Sequence, residues 1–140
     1  MGNAAHTKGY HLGKDRIYDG AGPGLGDADY SVKLARDKAG LTNAASAIDL
    51  GKLDGSLPAL RMFSLWLVAE LTRDVTLRHD FREVIYSPDG ATVQRYSAVD
   101  NRVHTGPGNG DDSHLTHTHI SYLRYSQFRD KVAAFAPYFE

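Results

Sequence analysis

His114-Leu115-Thr116-His117-Thr118-His119-Ile120-Ser121-Tyr122 is the stretch around which this chain is organised. Its second half is rich in β-branched and aromatic residues, which predicts a strand that begins near Thr118. Alternate residues of a strand point to the same face, so we expect His117 and His119 to lie side by side. The stretch therefore predicts a strand that presents two imidazoles on one face of a sheet.

Three of the seven histidines lie in this stretch, at spacings of three and two residues, close to Asp111 and Asp112. A neutral imidazole binds Zn²⁺, and it titrates near neutral pH, which suits proton transfer. We expect one histidine of the pair to hold a metal ion while the other takes part in the chemistry. The alternative is a set of ordinary surface or core histidines, which explains such close clustering less well.

Length and composition limit the possible classes of protein. A chain of 140 residues is expected to form a single domain, 1–140, with its own core. The net charge of −1 gives no basic surface for nucleic acid, and without cysteine any metal ion must be held by His, Asp or Glu. The sequence carries no signal-peptide pattern and no apolar run that predicts membrane insertion, so we expect synthesis in the cytoplasm without a signal peptide.

Hydrophobic periodicity predicts the elements before and after the histidines. The main helix is expected at 57–73, with Ser56 as its N-cap and Pro58 in its first turn. A hairpin is expected over 81–97, followed by a Gly- and Asp-rich loop at 100–113. A closing helix is predicted from 127 to about 135. The side chains expected to face inward from it are those of Phe128, Val132 and Phe135.

The N-terminal third is less regular. Its glycines predict a loop-rich segment, 1–28, that folds over the site, or else a mobile tail and linker. A short helix is expected at 29–40, capped by Asp29 or Ser31 and ended by Gly40. A strand near 46–50 places Asp49 opposite its apolar neighbours, either as a metal ligand or as an edge-strand carboxylate facing water. The predicted fold is α+β, a small antiparallel sheet with flanking helices.

Two of these motifs together resemble the zinc peptidases of the D-Ala-D-Ala/lysostaphin (LAS) group, which cleave peptidoglycan stem peptides. The segment 46–50, Ser-Ala-Ile-Asp-Leu, is similar to the end of that family's Ser-x-His-x-x-Gly-x-Ala-x-Asp signature. His114-x-x-His117-x-His119 is similar to the histidine triplet of its murein endopeptidase branch. The resemblance covers roughly residues 40–125 and implies a LAS/hedgehog-like architecture with Zn²⁺ as cofactor.

By the resemblance, Asp49 and His119 occupy ligand positions and His117 the catalytic position. The family's first histidine ligand falls at Thr42 here, so a third ligand must come from elsewhere, since catalytic zinc normally has three protein ligands. We expect His11 to supply it, with His6 as the reserve. His79 and His104 are interpreted as surface or substrate-loop residues.

The resemblance also implies roles around the metal. His117, oriented by Asp112 or Asp111, is expected to transfer the proton, and His114 to stabilise the oxyanion. Arg16 is a second candidate for the oxyanion or for a substrate carboxylate, although a surface charge paired with a neighbouring aspartate explains it as well. The expected partner is the bacterial stem peptide or cross-link, as for a phage endolysin or virion protein acting on the cell wall during host lysis.

Three other functions fit parts of the pattern. A metal-free wall-binding or phage structural domain, derived from a peptidase, would explain Thr42. A 2H-type phosphoesterase would use two motifs like His114-x-Thr116 and His119-x-Ser121, although these lie only five residues apart here. A His-Asn-His-type nuclease needs a basic surface, which the charge balance does not provide.

Overall fold

The computed structural model describes residues 6–20 and 23–140. Five strands form one antiparallel sheet in the order β1–β5–β2–β3–β4. The strands are β1 (Ala47–Leu50), β2 (Phe81–Tyr86), β3 (Gln94–Ser97), β4 (Arg102–Thr105) and β5 (Thr118–Tyr122). The helices are α1 (Lys14–Ile17), α2 (Ala35–Ala39), α3 (Leu57–Arg73), α4 (Val75–Arg78) and α5 (Val132–Phe139). The α+β class and the small antiparallel sheet are confirmed.

The chain divides into two compact units, one of residues up to 48 together with 121–129, the other of 49–120 and 130–140. The first unit is built around Arg124, which is fully buried. Its guanidinium donates to the carbonyls of Leu12 and Ser31, and its backbone N–H donates to Asp37. Asp37 also accepts a hydrogen bond from the Tyr10 hydroxyl, so a network of charged hydrogen bonds joins segments distant in sequence.

The second unit is built on α3, which has the predicted bounds and the predicted cap. The Ser56 hydroxyl accepts a hydrogen bond from the Ala59 N–H at 3.1 Å, and Pro58 lies in the first turn, where its missing N–H costs nothing. One face of α3 is buried, whereas Leu65 is exposed. The buried residues are Leu60, Phe63, Ser64, Leu67, Val68 and Leu71.

The meander of β2, β3 and β4 is longer than predicted. Tyr86 pairs with Gln94 and Ile85 with Arg95 across the expected hairpin, and its second strand begins only at Gln94. β4 lies inside the segment predicted to be a loop, and Arg95 pairs with His104 in it. The sequence signal failed because this edge strand is short, polar and exposed, without the apolar alternation of a half-buried strand.

The closing helix is displaced towards the C-terminus, and this prediction was wrong. Ser126 ends a 3-10 turn at Arg124–Ser126, and α5 begins only at Val132. Phe128 and Val132 are exposed, at 78% and 66%, whereas Phe135 packs against Phe63 and Phe81 as expected. The inward face is therefore the one that contains Phe135.

The predicted helix at 29–40 forms as two pieces, a 3-10 turn at Tyr30–Val32 and α2. Asp29 caps the first piece by accepting from the Ser31 N–H. Gly40 ends α2, but its φ is not left-handed. A Cβ at this position would lie 2.2 Å from the Tyr125 backbone nitrogen. The glycine is thus required by close packing of two backbones.

The N-terminal segment predicted to be loop contains the short helix α1, and Tyr10, Leu12 and Ile17 are fully buried. Residues 1–5 and 21–22 of that segment lie outside the described residues. Over the described part of the chain, none of the helices has the length and apolarity needed to cross a bilayer.

Candidate metal and proton-transfer site

Asp49 and His119 lie on neighbouring strands, β1 and β5, and their side chains meet. The Asp49 Oδ1 and His119 Nδ1 atoms are 2.9 Å apart, a charge-assisted hydrogen-bond distance. The histidine side chain is 7% exposed and the aspartate 31%, so the pair is reached from solvent on its carboxylate side. A neutral His119 that donates through Nδ1 leaves Nε2 without a proton, able to bind a metal ion.

His117 lies beside this pair, directly before β5. Its Nε2 is 3.9 Å from Asp49 Oδ1, and its Nδ1 is 2.8 Å from the carbonyl oxygen of Ser113. A carbonyl only accepts, so Nδ1 carries the hydrogen and the Nε2 of the neutral ring has an open lone pair. His117 is therefore held in the tautomer that a proton acceptor or a metal ligand requires.

His114 completes the cluster. Its ring centroid lies 4.5 Å from that of His117 and 6.1 Å from that of His119. Its Nδ1 is 3.1 Å from the Asp111 carbonyl, and burial lowers the pKa of the ring below its ordinary value. The ring is therefore neutral at neutral pH, with its proton on Nδ1 and none on Nε2. In this state it offers an acceptor, whereas the expected oxyanion role needs a second N–H.

The two aspartates that precede the histidines lie at the start of the 3-10 turn before β5. Asp111 caps the 3-10 turn Asp112–Leu115, and hydrogen bonds from the Ser113 hydroxyl and N–H lower its pKa. Its carboxylate lies 3.5 Å from His114 Nδ1. Asp112 is exposed as the first residue of that turn. The group that orients His117 is the Ser113 carbonyl, which sequence patterns do not reveal because every residue carries one.

His11 and Arg16, the remaining predicted site residues, belong to the other compact unit. His11 is 8% exposed and stacks on His6, with ring centroids 3.8 Å apart and planes inclined by 17°. Arg16 Nη2 donates to the His6 carbonyl at 3.0 Å. Thr42, at the position where the resemblance expects a histidine, accepts the Ala44 N–H with its hydroxyl and so stabilises a local turn.

His79 and His104 are placed as expected for residues outside the cluster. His79 lies after α4, with Nδ1 3.7 Å from Asp80, and its side chain is more than half exposed. His104 lies on the edge strand β4, and its Nε2 is 2.9 Å from Asp100.

Sequence reasoning missed a second polar group on the sheet, formed by Glu83, Arg95 and Asn109. Glu83 is a buried carboxylate on β2, with Oε2 3.7 Å from Arg95 Nη1. Arg95 Nε donates to Asn109 Oδ1 at 3.3 Å. The alternating pattern of β2 and β3 could have identified these charged residues as candidate site residues, but both strands were interpreted only as a hairpin.

Comparison of the chain with protein-family models, with curated proteins and with solved structures finds no match.

Proposed function

We propose that this chain is a zinc-dependent peptidase that cleaves a bond of the peptidoglycan stem peptide or cross-link, as a phage lysin-type enzyme acting on the cell wall. The observation that carries the proposal is the position of Asp49 Oδ1, 2.9 Å from His119 Nδ1 and 3.9 Å from His117 Nε2. A carboxylate and two imidazoles from distant parts of the chain thus converge beside a partly exposed surface.

The donor set suits Zn²⁺. Zinc takes nitrogen and oxygen ligands at 2.0–2.2 Å, so two ligands of a tetrahedral site lie roughly 3.4 Å apart. The 2.9 Å between Asp49 Oδ1 and His119 Nδ1 is shorter because these atoms share a hydrogen bond, so zinc held by both atoms would replace the Nδ1 proton. Asp49 and His119 would hold the ion, and His11 remains the candidate for the third protein ligand that the resemblance requires.

The chain's own groups supply the proton transfers. The Ser113 carbonyl holds His117 with its Nε2 lone pair open, so His117 accepts a proton from the attacking water and passes it to the leaving amine. Bound zinc would lower the pKa of water and polarise the scissile carbonyl. His114 remains the candidate oxyanion donor of the resemblance, a role that requires its protonated form. Arg16 remains a candidate for a substrate carboxylate.

Metal analysis of the purified chain tests the proposal first. We expect about one zinc per chain by mass spectrometry, lost in Asp49→Ala and His119→Ala and retained in His117→Gln. His79→Ala is the matched control, because it removes an exposed histidine that lies outside the cluster, beside Asp80. Loss of zinc in His11→Ala would identify His11 as the third ligand, whereas retained zinc would mean that another residue supplies it.

Hydrolysis of purified peptidoglycan, followed by mass analysis of the released peptides, tests the reaction. Zinc-loaded wild type should release stem-peptide fragments, and His117→Gln should bind zinc but release none. A wild type that takes up no zinc after reconstitution would overturn the peptidase. Binding of that metal-free protein to intact cell walls would then favour a wall-binding domain.

A further inference from the structure

A row of side chains crosses the sheet beside the candidate site. Ile85 on β2 pairs with Arg95 on β3, and Arg95 pairs with His104 on β4. Directly opposed residues of antiparallel strands point to the same face, with Cβ atoms about 5 Å apart. Ile85, Arg95 and His104 therefore share one face of the sheet.

The loop after β4 connects this row to the histidine cluster. A Cβ built at Gly110 would lie 2.6 Å from Ile85 Cγ2 and 3.4 Å from His114 Nδ1, so Gly110 is packed between the two. The preceding residue, Asn109, accepts the Arg95 Nε hydrogen bond at 3.3 Å. Arg95 and His114 consequently lie on the same face, on either side of two consecutive loop residues.

The Arg95 guanidinium is fixed in place while one of its edges stays open. Asn109 holds the Nε end, and it is itself anchored through Nδ2 to the carbonyls of Thr105 and Gly106. The Oε2 atom of Glu83 is 3.7 Å from Nη1. That distance is too long for an N–H···O bond, so this pair is an ion pair without a hydrogen bond.

Burial and exposure differ sharply across this pair. The Glu83 side chain is 3% exposed and the Arg95 side chain 25%. A buried carboxylate favours a charged neighbour and fixes its position, while the partly exposed guanidinium reaches solvent. An arginine that served only to neutralise Glu83 would be expected to close on it with two short parallel hydrogen bonds. The observed arrangement leaves the Nη1/Nη2 edge able to bind a second carboxylate.

We propose that Arg95, oriented by Asn109 and Glu83, forms a subsite for a carboxylate of the peptide substrate. The inference rests on the proposed function, since it assigns a substrate-binding role beside the same histidines. Two strand spacings of about 4.8 Å separate β5 from β3, so the carboxylate lies roughly 10 Å from the histidine strand. An extended peptide covers that distance in about three residues.

Peptide binding by the full chain tests the subsite, measured by NMR titration of ¹⁵N-labelled protein. The probes are a synthetic stem pentapeptide with free carboxylates and the same peptide with every carboxylate converted to an amide. We expect wild type to bind the free acid about tenfold more tightly, as for a charge-assisted hydrogen bond. The Arg95 Nε–H resonance, identified by its loss in Arg95→Lys, should shift only with the free acid.

Two variants and one control separate this role from a structural one. Arg95→Met removes the charge, and Arg95→Lys keeps the charge beside Glu83 but lacks the planar fork. Both variants should bring the affinity ratio of the two peptides close to one. Arg73→Met removes an exposed arginine that pairs with Glu70 on α3, and it should keep the wild-type ratio. If Arg95→Met fails to fold, Arg95→Lys decides the question alone.

Equal affinity of wild type for the two peptides, or no binding of either, overturns the subsite. A tenfold preference that survives in both Arg95 variants overturns it as well. These outcomes are independent of the metal. Absence of zinc combined with the expected preference would overturn the peptidase and leave a carboxylate-binding site. Bound zinc without the preference would overturn the subsite and leave the peptidase proposal standing.

Discussion

The strand that carries the histidines is joined to the main helix by one buried pair of hydroxyl groups, which gives a sharp prediction. Ser64 Oγ on α3 lies 2.7 Å from Oγ1 of Thr118, the residue between His117 and His119. Ser64 and Thr118 are both almost completely buried. Ser64 also donates to the Leu60 carbonyl at 2.8 Å. A serine hydroxyl has one hydrogen, so Thr118 must be the donor in the pair.

This direction makes the two single substitutions unequal. Ser64→Ala leaves the buried Thr118 hydroxyl without its acceptor, and the free energy of unfolding should fall by about 1–3 kcal/mol. Thr118→Val removes the donor, but the Ser64 hydroxyl still donates to Leu60, so the loss should be only about 0.5–1.5 kcal/mol. In the double variant no orphaned donor remains, and its loss should be smaller than the sum by about 1 kcal/mol or more.

Urea unfolding of the four proteins, followed by circular dichroism, measures this cycle. Thr118→Ser keeps the hydroxyl and controls for changes in strand packing. Additive losses, or a larger loss for Thr118→Val than for Ser64→Ala, would refute the assigned direction of the hydrogen bond. In a separate measurement, the zinc affinity of the Ser64→Ala protein shows whether this contact also holds His117 and His119 in position.

Three further predictions concern stability alone. Gly40→Ala should lower the free energy of unfolding by about 1–3 kcal/mol through its clash with the Tyr125 backbone, whereas Gly51→Ala, which meets open space, should be nearly neutral in the same urea assay. Ser56→Ala should cost about 1 kcal/mol by removing the α3 cap, and Ser56→Asp should restore most of it in thermal unfolding. Backbone hydrogen bonds from Ala91 and Thr92 lower the pKa of Asp89 from 3.8 to about 2, so its carboxylate stabilises the fold above pH 3.8 and this contribution disappears as the pH falls towards 2. Asp89→Asn should therefore flatten the dependence of the urea midpoint on pH between 4 and 2, and an unchanged slope would contradict this.

Regular local patterns were predicted well from the sequence. The bounds of α3 and its cap followed from apolar spacing, a serine and a proline, all of which act within a few residues of each other. β1 was predicted from alternation and β5 from its β-branched and aromatic residues, whereas only the resemblance led us to expect Asp49 and His119 in one site. The prediction of the closing helix was wrong because Phe128 and Phe135 gave the same apolar signal. Phe135 packs against Phe63 in the core, whereas Phe128 is exposed.

What the sequence by itself determined was the identity of the chemical groups: three histidines near a strand, an aspartate on another strand, and no cysteine. Which atoms meet was decided only by the tertiary structure, since it depends on strand order and register between segments 70 residues apart. The Ser113 carbonyl that fixes His117 and the Glu83 carboxylate that faces Arg95 are likewise products of folding. Neither contact has a local signature, because a backbone carbonyl is common to every residue and a charged side chain takes its partner from whatever strand the sheet places beside it.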